Sequence, residues 1–300
     1  MKEKQATWAI AIETWQALAR IYREPLTKVT DETGIQNRWA PLNFVYTAEP
    51  EPFDLQKLHE AFPFGKIERQ IETFENIAKD GFLEKVADQR YKLTEQGRET
   101  RKKVYGTVCE SLKSVQQLPM DEIKELNGLL FRIVKNIQEA PGPVKWYFNN
   151  SRITDPGPNW GEVTLLDQYI TDLYFFRDDA PSAAWMPYGV GGRTWEAFTF
   201  IWRGDVSTAD ELVEKLTVRG HTAEDYGQSL AELVELGWIE SVEKGFQVSE
   251  KGRKLREEAE EKTDHTFYDP WDVLKPDEQI RANDLLGLLK TKIEEVIGTE

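Results

Sequence analysis

Two stretches of the chain, 156 residues apart, carry the same pattern of large side chains. Trp39, Phe44 and Tyr46 line up with Trp195, Phe200 and Trp202. Further on, Phe74, Ile77, Gly81, Phe82, Leu83 and Val86 fall on Leu230, Leu233, Gly237, Trp238, Ile239 and Val242 at the same spacing. Tyr91, Leu93, Thr94, Glu95, Gly97 and Arg98 then meet Phe246, Val248, Ser249, Glu250, Gly252 and Arg253 at 155, so one residue has left a hairpin tip, where length changes are tolerated. Asp121, Glu122, Asn127, Leu130 and Ile137 meet Asp277, Glu278, Asn283, Leu286 and Ile293, and the spacing is 156 again. A repeat held in register over this span means that whatever one half folds into, the other folds into as well. It divides the chain into a first unit at 1–138, a connector at 139–160 rich in Pro, Gly and Asn, and a second unit at 161–300.

Each unit reads as helix, turn, helix, hairpin and closing helices. In the second, Ser207 can cap a helix from Ala209 to about Val218, Gly220 ends it, and Thr222 caps another running to Leu236. Two β-favouring runs, Trp238 to Val242 and Phe246 to Val248, are joined by a short turn and predict a hairpin. A charged helix starts near Glu250, and a last one carries Leu285, Leu286, Leu289 and Ile293 at helical spacing. The first unit repeats the order with helices over Leu55 to Ala61 and Ile67 to Asp80, strands at Phe82 to Val86 and Arg90 to Leu93, and helices to Ile137. The expected fold is mainly α with small β-hairpin wings: two tandem winged-helix repeats.

Composition excludes several classes. Ten Trp, ten Tyr and fourteen Phe do not belong to a disordered chain. One cysteine, Cys109, and three histidines cannot by themselves fill a four-ligand zinc site, and no cofactor is expected. No apolar run approaches the roughly 18 residues of a membrane span and the N-terminus has no signal-peptide core, so a cytoplasmic protein is expected. The net charge of −15 is lopsided: residues 1–150 hold 22 basic and 22 acidic side chains, residues 151–300 hold 16 and 31.

The stretch A-D-Q-R-Y-K-L-T-E-Q-G-R (Ala87 to Arg98) resembles the wing and following helix of MarR-type winged-helix regulators, and P-M-D-E-I-K-E-L-N-G-L-L (Pro119 to Leu130) is similar to their C-terminal dimerisation helix. The second half, with R-G-H-T (Arg219 to Thr222), E-K-G-R-K-L-R-E-E-A-E-E-K-T-D (Glu250 to Asp264) and D-P-W (Asp269 to Trp271), also resembles an uncharacterised bacterial helix-turn-helix family. MarR-type proteins are two-fold dimers with interleaved terminal helices and an aromatic-ligand pocket between these and the reading heads. The resemblance therefore implies a fused pseudo-dimer, monomeric in solution, acting as a transcriptional regulator.

A winged helix reads double-stranded DNA with the start of its second helix in the major groove and meets phosphate with its wing. In the first repeat the helix offers Lys66, Arg69, Gln70 and Thr73, and the wing Lys85, Arg90 and Lys92, against a background of Glu68, Glu72 and Glu75 that also fits a plain solvated face. The matching helix of the second repeat, Thr222 to Leu236, has no Lys or Arg, and the shortened second wing lacks a counterpart of Arg90, so this head is expected to repel a duplex. The second repeat instead concentrates aromatics. Trp185, Tyr188, Trp195 and Tyr174, with Arg177 among them, are candidates to line a pocket for a small aromatic ligand, or simply to pack a core. The local likeness of I-Y-R-E-P and F-F-R-D-D pairs Arg23 with Arg177. No nucleophile constellation suggests an enzyme. The reading is a DNA-binding regulator with one competent head and a ligand pocket. The alternatives are a ligand- or protein-binding module that has lost DNA affinity, and a winged-helix glycosylase using Asp178 and Asp179 beside a flipped base.

Overall fold

Thr94 and Ser249 open the same local structure in the two halves. Each caps a helix by accepting the N–H of the glycine three residues on, Gly97 or Gly252, and donates its hydroxyl to the carbonyl of Gly81 or Gly237 at the end of the preceding helix. Both capped glycines press against backbone: a Cβ at Gly97 would stand 2.1 Å from the Phe82 carbonyl oxygen, and at Gly252 1.9 Å from that of Trp238. The T-E-Q-G and S-E-K-G sequences thus fasten a long helix to a hairpin in each half.

The computed structural model describes residues 1–116, 118–140 and 145–298. In the first half α1 (Lys2–Thr33), α2 (Ala40–Ala48), β1 (Phe53–Asp54), α3 (Leu55–Ala61), α4 (Ile67–Lys79), β2 (Leu83–Ala87), β3 (Arg90–Leu93), α5 (Glu95–Lys113) and α6 (Met120–Glu139) follow one another. After α7 (Trp146–Ile153), the second half runs α8 (Glu162–Trp185), α9 (Gly192–Arg203), α10 (Ala209–Lys215), α11 (Ala223–Glu235), β4 (Ile239–Val242), β5 (Gly245–Val248), α12 (Glu250–Tyr268) and α13 (Pro276–Ile297). The protein is mainly helical with small antiparallel strand pairs. The expected helix-turn-helix pairs are α3–α4 and α10–α11, and the expected hairpins are β2–β3 and β4–β5.

The hairpins locate the lost residue. In the first, Leu83, Glu84 and Lys85 pair with Leu93, Lys92 and Tyr91, after which the register shifts and Ala87 pairs with Arg90, leaving Val86 as a bulge. The second hairpin pairs Ile239, Glu240, Ser241 and Val242 with Val248, Gln247, Phe246 and Gly245 without interruption. The missing residue is therefore the bulge, not the counterpart of Arg90, whose place Gly245 takes. The helices correct another pairing. Pro25 inside α1 and Pro181 inside α8 stand 156 apart, which sets Arg177 opposite Ile21 and Arg23 opposite Asp179.

The long helices exchange partners between halves. α1 packs on α5 of its own half and on α13 of the other; α8 packs on α12 and on α6. Leu126, Leu130, Ile133 and Ile137 of α6 and Leu285, Leu286, Leu289 and Ile293 of α13 are fully buried in one core with Ile170 and Leu173 of α8. Residues 156 apart touch there: the Trp15 indole N–H donates to the Thr171 hydroxyl at 3.1 Å, and Arg281 holds Glu125 through two hydrogen bonds of 2.6 and 2.8 Å. Two smaller cores fill the helix-turn-helix heads, one around Phe53, Phe74 and Tyr91, the other around Trp195, Phe198 and Trp238.

The connector is not all irregular. α7 lies inside it, Phe148 is completely buried in the central core, and the buried carboxylate of Asp179 on α8 accepts the N–H groups of Tyr147 and Phe148 at 3.0 Å each. A carboxylate at a helix start meets both the free N–H groups and the positive end of the helix. Residues 141–144 of the connector lie outside the described residues.

Candidate nucleic-acid interface

The reading end of a helix-turn-helix is the first turn of its second helix. In the first head that turn meets the second head. Lys66, preceding α4, donates its backbone N–H to the Arg219 carbonyl at 2.9 Å and its ammonium to Asp225 of α11 at 2.7 Å. His221 donates from Nε2 to the Phe64 carbonyl at 2.9 Å, and the Arg219 guanidinium, held bidentately by Glu196, covers the Phe62 and Phe64 rings at 5.1 and 5.6 Å. Asp225 also takes the Thr222 N–H and an ion pair from Arg193 at 3.5 Å. The Lys66 hydrogen bond first, and the Thr222 N–H next, hold its carboxyl far below the usual carboxylate range.

Two glycines make this approach possible. At Gly192, the first residue of α9, a Cβ would stand 2.4 Å from the Pro63 carbonyl oxygen. At Gly220, which has φ of +76°, a Cβ would stand 2.8 Å from Nε of Arg69. Gly220 thus serves twice, as a left-handed helix end and as the floor on which the Arg69 side chain lies.

The seven predicted DNA contacts therefore separate. Lys66 is engaged by the second head. Arg69 is exposed beyond Gly220, Thr73 is exposed one turn on, and Gln70 is half-buried between them with its carbonyl oxygen unpartnered among the described residues. On the hairpin Lys85 is tied to Glu75 at 2.9 Å, and that hydrogen bond raises its pKa. Lys92 faces Glu84 across the ladder. Arg90 is exposed at the hairpin turn, in register with Asp54 of β1, which adds a third strand. The structure brings Arg69, Gln70 and Thr73 together on one helix and Lys85, Arg90 and Lys92 on one hairpin. At the positions of Arg69 and Thr73 the second head has Asp225, which the seam holds, and the buried Ser229, and Gly245 takes the place of Arg90.

The predicted ligand residues separate too. Trp185 and Tyr188 each stack on Trp195, at centroid distances of 6.0 and 5.9 Å, and the three belong to the core of the second head. Arg256 covers Trp195 at 4.9 Å. Tyr174 stacks on Trp15 at 5.3 Å, and Arg177 pairs with Asp264 at 3.3 Å while lying over Phe267. Trp185, Tyr188 and Trp195 thus share one stack, while Tyr174 and Arg177 have other partners. The neighbours Asp178 and Asp179 diverge: the first is exposed, the second caps α7. Among the described residues no group of three or more His, Cys, Asp or Glu is placed to hold a metal ion, and no helix is long and apolar enough to cross a membrane.

A helix-turn-helix family matches residues 171–298, from the middle of α8 through α13. The second half contains a helix-turn-helix domain. That match covers the R-G-H-T turn, the hairpin and both closing helices. No curated protein matches the chain. The seam between the heads escaped the sequence because it joins side chains about 160 positions apart; its visible trace is the glycine in each docking turn, Gly65 in F-P-F-G-K and Gly220 in R-G-H-T.

Proposed function

We propose that the chain is a MarR-like helix-turn-helix DNA-binding regulator built as a fused pseudo-dimer, in which the first head does most of the reading. The observation that carries this is the division of charge between two heads of matching element order. Exposed Arg69 and Thr73 on α4, with Arg90 and Lys92 on the hairpin, can meet phosphates and base edges, whereas α11 has no Lys or Arg. The pseudo-dimer reading is supported by the exchange of α6 and α13 and by contacts between residues 156 apart, because only residues near a two-fold axis can touch their own equivalents. Lys66 joins the reading set only when the heads part. The test is fluorescence anisotropy of a labelled mixed-sequence duplex at roughly 50 and 200 mM salt, the range over which phosphate contacts weaken steeply. The expected result is salt-sensitive binding that Arg69→Ala and Arg90→Ala each reduce.

A second reading has its own support. The seam covers the first turn of α4, which favours a ligand- or protein-binding module that retains the fold without gripping DNA. Absence of binding at the lower salt, in wild type and in variants that loosen the seam, would favour it.

A further inference from the structure

A cavity of about 740 Å³ opens between the first head and the second half, lined by none of Trp185, Tyr188 and Trp195. Its floor is Trp146 of α7 with Asp179, Ser182 and Ala183 of α8; its mouth is formed by Lys57 and Glu60 of α3 on one side and the exposed Met186 and Pro187 on the other. The volume lies in the range of small-molecule sites, and the lining combines apolar surface with a few polar groups, as such sites require.

The charges are placed unevenly. Asp179 is 3% exposed and is the one buried charged side chain of the lining. Its two oxygens accept the Tyr147 and Phe148 N–H groups, which leaves acceptor capacity free, since a carboxylate can take about four hydrogen bonds. Burial, only partly offset by these two N–H groups, pushes its pKa up to about 6, so the ionised form is under-compensated where it stands. At the mouth Lys57 and Glu60 oppose each other in sign, and an adjoining cleft of about 320 Å³ sets Lys57 and Arg90 with Glu51 and Asp54, two charges of each sign. Trp146 supplies an aromatic surface of the kind that attracts cations, and Met186 a polarisable, adaptable one.

We infer that this cavity is a binding site for a lipophilic organic cation, an aromatic or quaternary ammonium or phosphonium compound, seated on Trp146 with its charge toward Asp179. An aromatic anion meets the opposite balance, since the one cation of this lining, Lys57, is exposed, and in the adjoining cleft Lys57 and Arg90 stand among Glu51 and Asp54. The site goes beyond the DNA reading and does not depend on it. It does join α3 of the first head to α8, so occupancy ties a reading head to the central helices.

The test is isothermal titration calorimetry of the full chain with tetraphenylphosphonium, and with salicylate as the aromatic anion. Saturable binding of tetraphenylphosphonium is expected, weakened about tenfold by Asp179→Asn, whose amide oxygen keeps one of the two α7 N–H bonds and whose fold is checked by thermal melt. Ala183→Trp fills the floor and Met186→Trp narrows the mouth from an exposed position that leaves folding intact; each abolishes binding. The inference is overturned by absence of tetraphenylphosphonium binding, by binding that survives Met186→Trp and Asp179→Asn undiminished, or by salicylate binding at least as tightly.

Discussion

Asp167 on α8 has one carboxylate oxygen buried with no hydrogen-bond partner among the described residues. Burial pushes its pKa up to about 7 from an ordinary 3.8; burial first, and the Asp167 charge as a lesser cause, also raises Tyr22, Tyr105 and Cys109. A carboxyl whose folded pKa lies above its unfolded one keeps its proton longer in the native state, so stability falls as pH rises from about 4 to about 7 and is level beyond. Asp172 and Asp179, both near 6, act in the same sense but finish earlier, whereas His221, lowered by burial, acts in the opposite sense below about 6.5. Thermal melts of wild type and Asp167→Asn isolate the one group: the difference between them should grow in favour of the variant from pH 5 to 7.5, and a pH-independent difference would refute the assignment. None of this is legible in the sequence, because Asp167 reads there as one more acid on an amphipathic helix. By contrast the repeat marks Thr94 with Ser249 and Gly97 with Gly252 as equivalents, because such local chemistry is written twice, although the caps and the close glycine packing are seen only in the structure.

At the scale of elements, the helix-turn-helix pairs and hairpins follow the sequence closely, since caps, left-handed glycines at Gly204 and Gly220 and β-favouring runs all act within a few residues; Thr222 caps as expected, while the cap of α10 is Thr208 and not the expected Ser207, whose hydroxyl bonds Glu211 instead. α7 was obscured because its neighbours are Pro, Gly and Asn, and because its cap, Asp179, comes from another helix. The seam between the heads was invisible for the same reason. It also yields the sharpest test at this scale. Gly192→Ala places a methyl against the Pro63 carbonyl, which is backbone and cannot rotate away, while α9 itself gains helix propensity. The expected outcome is parted heads with little loss of α9: faster hydrogen exchange confined to residues 62–66 and 219–225, and tighter duplex binding as Lys66 is released. Unchanged exchange at both turns would mean the seam is not held by this contact; parted heads with no gain in duplex binding would count instead against the DNA reading.

For the molecule as a whole, length, composition and repeat register pointed to two matching mainly helical halves, and the charge of each half pointed to unlike heads. The exchange of closing helices was implied by resemblance rather than by pattern, since the apolar stripe of α6 or α13 does not say which helix will cover it. That exchange makes each half dependent on the other. A fragment of residues 1–140 would keep α1 without α13 and α6 without α8, exposing Leu126, Leu130, Ile133 and Ile137, all fully buried in the intact chain. At roughly 1.5–3 kcal/mol for each such side chain, the loss is comparable with the whole stability of an ordinary domain, about 5–15 kcal/mol. A second copy can replace the missing partners, because α6 stands where α13 stands in the other half. The fragment should therefore run as a homodimer, or precipitate, in size-exclusion chromatography with light scattering, whereas the full chain should run as a monomer of 34.7 kDa. A folded, monomeric fragment would show that the first half covers α6 by itself, and the pseudo-dimer reading would fall with it.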